Sequence, residues 1–317
     1  MPLSARSYTA LLTLCRHIRN LRPIFVRRVL LVLVILSTWP AAVCSAEFVP
    51  YPVPSPMFSH VPQKKSLIEA RAGYLWGVNE IRFRDGDNSN IAPGKKELNV
   101  NGLIFGLQGE TFAMKDLAVR AQAWINIPQE LRSDFLLDRT RRSWDTRAQF
   151  FEADLSIIYH LGLGGMPYTA GLTAGYRFDN FDYKSTLVAA AGTFHDHIHV
   201  HIPYLGIYYA HSNFVGSVVR LDVLASPFTL SRVDGSQDLT SSITQVDGTS
   251  LTGFWFESFF GWSRPVGRNA FLGAFAKYNY LGLSGGATLE RDDASTRFSM
   301  DSWHHLFIIG LTATYTF

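Results

Sequence analysis

Histidine recurs at every second position in Phe194-His195-Asp196-His197-Ile198-His199-Val200-His201. Alternate residues of an extended chain share one side and stand about 7 Å apart. His195, His197, His199 and His201 therefore line up four imidazoles, and an adjacent pair offers two ligands to a zinc or copper ion. Such a site needs a further ligand from another segment, and Asp301, His304 and His305 are of the right type. The alternative needs no cofactor: the four rings are polar groups turned inward to hydrogen-bond an acidic set. Asp301, His304 and His305, taken with Asp134 and Asp138, also supply the acids and imidazoles that could activate a water molecule by general base catalysis.

Whether either set assembles depends on the elements that carry it. From Ser66 onward, runs of about ten residues alternate apolar with small or polar side chains, separated by connectors that are by turns short and long. Strands are expected over Leu67 to Val78, Val100 to Thr111, Leu117 to Ile127, Gln149 to Leu161, Tyr168 to Phe178, His199 to Ala210, Val215 to Ala225, Gly253 to Trp262, Ala270 to Leu281 and Leu306 to Phe317. The connectors at 113–116, 162–167, 211–214 and 263–269 are short and rich in turn formers. Those around Arg82 to Leu98, Pro128 to Ala148, Asp179 to Ile198, Ser226 to Thr252 and Gly282 to His305 are long. The pattern predicts an all-β fold: a closed antiparallel transmembrane β-barrel of about ten strands, with short periplasmic turns and long extracellular loops. In the last strand Phe307, Ile309, Leu311, Ala313, Tyr315 and Phe317 share one face. Tyr315 and Phe317 there resemble the signature by which the barrel-assembly machinery recognises its substrates.

The segment before Ser66 is different in kind. Arg27 and Arg28 precede the apolar run Val29 to Leu36, which passes into Ala41-Ala42-Val43-Cys44-Ser45-Ala46. That order reads as a signal peptide over 1–46, followed by a periplasmic segment 47–65 and the barrel over 66–317. Six of the 29 cationic residues lie in this leader and no acid does, so the remainder has 23 cations against 26 acids, a formal −3 in place of +3. The basic balance is thus no argument for nucleic acid as a partner. Cys15 and Cys44 also fall in the leader, and the thiol-free remainder suits an oxidising periplasm.

Period-two alternation also sorts the strands into two faces. The outward face carries Trp76, Phe105, Tyr176, Tyr204, Phe254, Phe256, Trp262, Tyr278, Tyr280 and Tyr315, which read as aromatic girdles. Turned inward on this register are Glu69, Glu110, Glu152, Asp154, Asp222 and Glu257, with Arg71, Arg120, Arg177, Arg220 and Lys277. In so narrow a lumen they should pair into a plug, because a lone buried charge is severely penalised.

The ten-strand layout, Gly175-Tyr176-Arg177-Phe178-Asp179-Asn180-Phe181 and Ile202-Pro203-Tyr204-Leu205-Gly206-Ile207 resemble the omptin family of outer-membrane proteases. The resemblance implies a peptidase that activates water with an aspartate pair on one rim and an Asp-His couple on the other. Where an omptin presents that couple, this chain has Ala225-Ser226-Pro227-Phe228-Thr229-Leu230; where the pair would lie, it has Asn126-Ile127-Pro128-Gln129-Glu130. The expected function is therefore that of a non-enzymatic barrel in the outer membrane of a Gram-negative bacterium. Its partners would be outer-membrane lipid and lipopolysaccharide, whose phosphates Arg139, Arg141 and Arg142 could clamp. The alternatives are an omptin-like protease with a displaced Asp/His site and a small-solute channel.

Overall fold

Alternation is maintained for far longer than a membrane crossing requires. A computed structural model describes residues 66–84, 94–114, 116–137, 140–161, 168–187, 192–212, 216–239, 242–291 and 294–317. The expected leader and the segment 47–65 lie outside these. The strands are β1 (Leu67–Arg84), β2 (Gly94–Met114), β3 (Leu117–Pro128), β4 (Glu130–Leu137), β5 (Thr140–Leu161) and β6 (Tyr168–Leu187). They continue as β7 (Gly192–Ser212), β8 (Val218–Leu239), β9 (Ser242–Pro265), β10 (Ala270–Arg291) and β11 (Ala294–Thr316).

All are antiparallel to their neighbours, and β1 pairs with both β2 and β11, which closes the sheet. β3 and β4 form one stave broken at Gln129: β2 pairs with β3 at Gly102 and beyond, and with β4 from Gly94 to Glu97. At the break, the Asn99 backbone N–H donates to Ser133 Oγ at 3.2 Å and Asn99 Nδ2 to the Arg132 carbonyl at 2.6 Å, so side chains replace the missing ladder bonds. The barrel thus has ten staves.

The long excursions lie at one end, as alternating connector lengths imply, and they are built as continuing hairpins. β9 alone has 24 residues, against about ten for a tilted crossing strand. The sequence-based strand ends fell short because the apolar alternation does not stop there; the residue chemistry changes face instead. Near the short-turn end the outward residues are apolar, including Ile68, Leu103, Leu107, Leu155, Leu205 and Leu311. This exposed belt calls for lipid rather than water. Towards the far end the apolar side chains point inward, among them Ile81, Leu98, Ile198, Val200, Leu251, Leu283 and Met300. The outward positions there are taken by Glu80, Arg82, Lys95, Arg132, Lys184 and Arg232. A water-facing β-barrel with a hydrophobic core therefore stands on a lipid-facing barrel with a polar one, in the same strands.

On β8 the inward parity also slips. Asp222, Leu224 and Ser226 point in, and beyond Pro227-Phe228 it is Thr229, Ser231 and Val233 that do, across a bulge between Ser226 and Thr229. On β7 the lipid side is Leu205, Ile207 and Tyr209, which turns Tyr204 inward, contrary to the outward place expected for it. Glycine makes room for that ring: a Cβ at Gly175, on the facing strand, would come within 2.5 Å of it.

Candidate functional site

Three assemblies of polar side chains follow from these faces. The first lies inside, nearest the short-turn end. Arg71 pairs with Glu69 and donates to Gln108 at 2.7 Å, while Thr314 donates to the same glutamate at 3.1 Å. Arg120 pairs with Glu110 at 2.9 Å and with Asp222 at 3.3 Å, and Arg220 closes on Asp222 from the same strand. Three acids meet three arginines here, and Arg71 and Arg220 lie over the Phe259 ring at 4.5 and 4.9 Å.

One layer further in, Arg177 binds Glu152 at 3.0 Å, Asp179 at 2.6 Å and Glu257. Lys277 binds Glu152 at 2.7 Å and Glu257 at 3.0 Å. The stretch from Glu152 on β5 to Lys277 on β10 crosses the lumen, so the pairs tie opposite walls together. Asp154 is buried on the same inward face, and none of the described ion pairs includes it. Asp179 and Gln108 were not anticipated. Asp179 follows Arg177 at the next inward position, but the strand was expected to end at Phe178.

Beyond this layer the described interior is largely apolar, with Asn79, Ser302 and His304 among its polar members, and aromatic rings and an ion pair reach across it towards the far end. Lys96 on β2 pairs with Asp196 on β7, and its ammonium lies 4.0 Å from the centre of the Phe194 ring. Phe194 meets Trp144 edge-on, with centroids 5.0 Å apart.

The described members of the expected acid-base set do not converge. Alternation along β11 sends Asp301 and His305 outward, where Ser284 donates to Asp301 at 2.6 Å and His305 Nδ1 lies 3.1 Å from the Tyr278 hydroxyl. His304 points inward, 1% exposed, with Nε2 3.0 Å from Ser302 Oγ and its ring packed on Phe181. Asp134 sits outward on β4, which β1 and β2 separate from β11, and accepts from Ser143 at 3.3 Å. Residues 138 and 139, the expected Asp138 and Arg139, lie outside the described residues. Arg141 and Arg142 are placed on β5, but their side chains are outside the described set.

The third assembly is on the outer wall. Because Ile198, Val200 and Ile202 fill the core, the odd-numbered His195, His197, His199 and His201 face outward, which corrects the inward, acid-bonding alternative for this run. His201 Nδ1 takes the Tyr176 hydroxyl, and His199 stacks on Phe178 at 6.0 Å. His195 Nε2 lies 2.8 Å from Asp182 of β6, whose register partner is His197. The third group beside the histidines is thus Asp182, from the adjacent strand, and not Asp301, His304 or His305 of β11. On the far side of the barrel's outer wall, Glu80 of β1 bridges Arg82 of the same strand and Lys95 of β2. Partial burial opposes its ionisation, yet the hydrogen bonds from Lys95 and Arg82 hold its carboxyl below the ordinary value.

No family model matches the chain, and no curated protein does. Among solved structures, the outer membrane protease OmpT from Escherichia coli superposes with a TM-score of 0.66 at 14% identity, covering 80% of this chain and 97% of that one. The translocator domain of the autotransporter NalP from Neisseria meningitidis matches at a TM-score of 0.39 and 11% identity, over 82% and 91% of the two chains. The outer membrane protein OprG from Pseudomonas aeruginosa gives 0.39 and 11%, over 80% and 97%. At these identities the likeness is one of fold: this chain has the closed, ten-stave outer-membrane β-barrel architecture that OmpT also has.

Proposed function

We propose that the protein is a sealed barrel of a Gram-negative outer membrane that works through its outer wall and far-end surface, as neither a pore nor a peptidase. The observation that carries this reading is the filled interior. Two ion-paired layers, an apolar core and the Lys96–Asp196 pair with its aromatic neighbours succeed one another along the axis. Water and solutes would have to displace packed side chains at every level, since interiors of this kind are close-packed. The far end then lies outside the cell and the short turns in the periplasm. Outward cations just beyond the apolar belt, such as Arg82, Lys184 and Arg232, stand where lipopolysaccharide phosphates would meet them, and the exposed Tyr315 and Phe317 suit recognition during barrel assembly.

Pure refolded protein in a planar bilayer should produce no stable openings across a voltage ramp. Large, long-lived conductance steps would overturn the sealed reading. A dibasic fluorogenic peptide should likewise stay intact, because the imidazole of His304 is shut inside while Asp301 and His305 face out. Turnover that is abolished by His304→Ala would show instead that the interior opens to substrate.

A further inference from the structure

Asp182, His195 and His197 stand together on the outside of the barrel, past the aromatic girdle and in reach of solvent. We infer that they form a binding site for a divalent transition-metal ion, with zinc as the reference ligand, and this inference stands apart from the sealed-barrel reading. Each offers one ligand atom, and the three atoms lie within 4.8 Å of one another. His195 Nε2 is 2.8 Å and His197 Nδ1 4.0 Å from the same carboxylate oxygen, Oδ1 of Asp182. The two rings, set at i and i+2, lean together until their centroids are 4.1 Å apart. Zinc takes imidazole nitrogen and carboxylate oxygen at about 2.0–2.2 Å, which spaces tetrahedral ligands roughly 3.3–3.5 Å apart. Rotation of side chains that are only partly packed closes the set to that spacing; the side chains are 36%, 37% and 20% exposed.

The backbone beneath is fixed by the β6–β7 ladder, in which Asp182 and His197 are direct partners. Two strands therefore present the ligands without ordering a loop. On the flanking strand Asp234 is the register partner of His197 and pairs with Arg232, and Lys184 of β6 is the register partner of His195, so one carboxylate and two cations surround the set. Three protein ligands leave a fourth position for water, which is the pattern of an exchangeable site rather than a closed structural one. Copper, higher in the affinity order for imidazole sites, would compete for the same atoms.

The test uses the full chain without a histidine tag, refolded in detergent, stripped with chelator and titrated with zinc alone by calorimetry. Wild type should bind one equivalent. His195→Ala, His197→Ala and Asp182→Asn should each weaken binding by more than about 10–100-fold, a loss that even an outer-shell partner's removal causes. His201→Ala, lower on the same face, should bind as wild type does. Equal binding by wild type and the His195→Ala protein, or equal loss in His201→Ala, overturns the site. Cobalt gives a second readout on the unmodified chain: intense four-coordinate visible absorption supports the assignment, and its absence at saturating cobalt rejects it.

Discussion

Arg177→Ala should destabilise the folded barrel by about 3–5 kcal/mol, the usual cost of removing one partner from a buried ion pair. Arg177 is wholly buried and binds the carboxylates of Glu152, Asp179 and Glu257. Alanine would leave Glu152 and Glu257 to Lys277 and strip Asp179 of its guanidinium, in a lumen walled by Trp124 and Trp255, where no water shell replaces it. Equilibrium unfolding from lipid vesicles in urea reads the change. Adding Glu257→Gln to the same protein should return part of the loss, since it removes one of the stranded charges. Arg232→Ala is the control: its pair with Asp234, at 3.1 Å, is largely exposed on the outer wall, and its removal should cost less than about 1 kcal/mol. An Arg177→Ala protein as stable as wild type would mean that the layer is hydrated rather than packed, and the sealed-barrel proposal would lose its main support.

Leu311→Arg should cost about 2–4 kcal/mol, the penalty for a cation at the midplane of a barrel's lipid face. Leu311 is 71% exposed and pairs with Ala72 and Ala274, midway along the apolar belt between Tyr315 and the level of Trp76. The same change at Ser299, an outward position two residues along β11 from Asp301 and the register partner of Arg84, falls beyond the apolar belt and should be nearly neutral. Comparable losses at both positions would place the hydrocarbon elsewhere along the strands. Folding yield into bilayers of increasing thickness gives an independent reading, because only Leu311→Arg should depend on how deep the belt is buried.

The relation between sequence and structure is best seen in β7. Its alternation was plain from residue types: Leu205, Ile207 and Tyr209 on one side, and the four histidines continuing that side. What the alternation could not tell was which side meets the core above the membrane, since period two assigns residues to faces and leaves the surroundings of each face unnamed. The expectation of inward histidines went with placing Tyr204 on the lipid side, which turns the odd-numbered residues of the strand, the histidines among them, towards the lumen. Instead Ile198, Val200 and Ile202 turn in and the histidines turn out. Carrying the lipid-out, polar-in rule past the membrane explains why strands were ended early: apolar residues such as Leu281 and Leu283 continue the strand with their face exchanged, which looked like the onset of a loop.

By itself, the order of residues determined that the chain closes an antiparallel barrel, and which charges share an inward face on the crossing strands. It could do so because alternation and connector length are local properties, written into every few residues. Only the tertiary structure decided that Arg177 meets Glu257, that Lys96 reaches Asp196, that His304 is shut away from Asp301, and that Asp182 joins His195 and His197. Those meetings depend on inter-strand register and on distances across the lumen, and such register is set by the simultaneous packing of all ten staves, which no single segment contains.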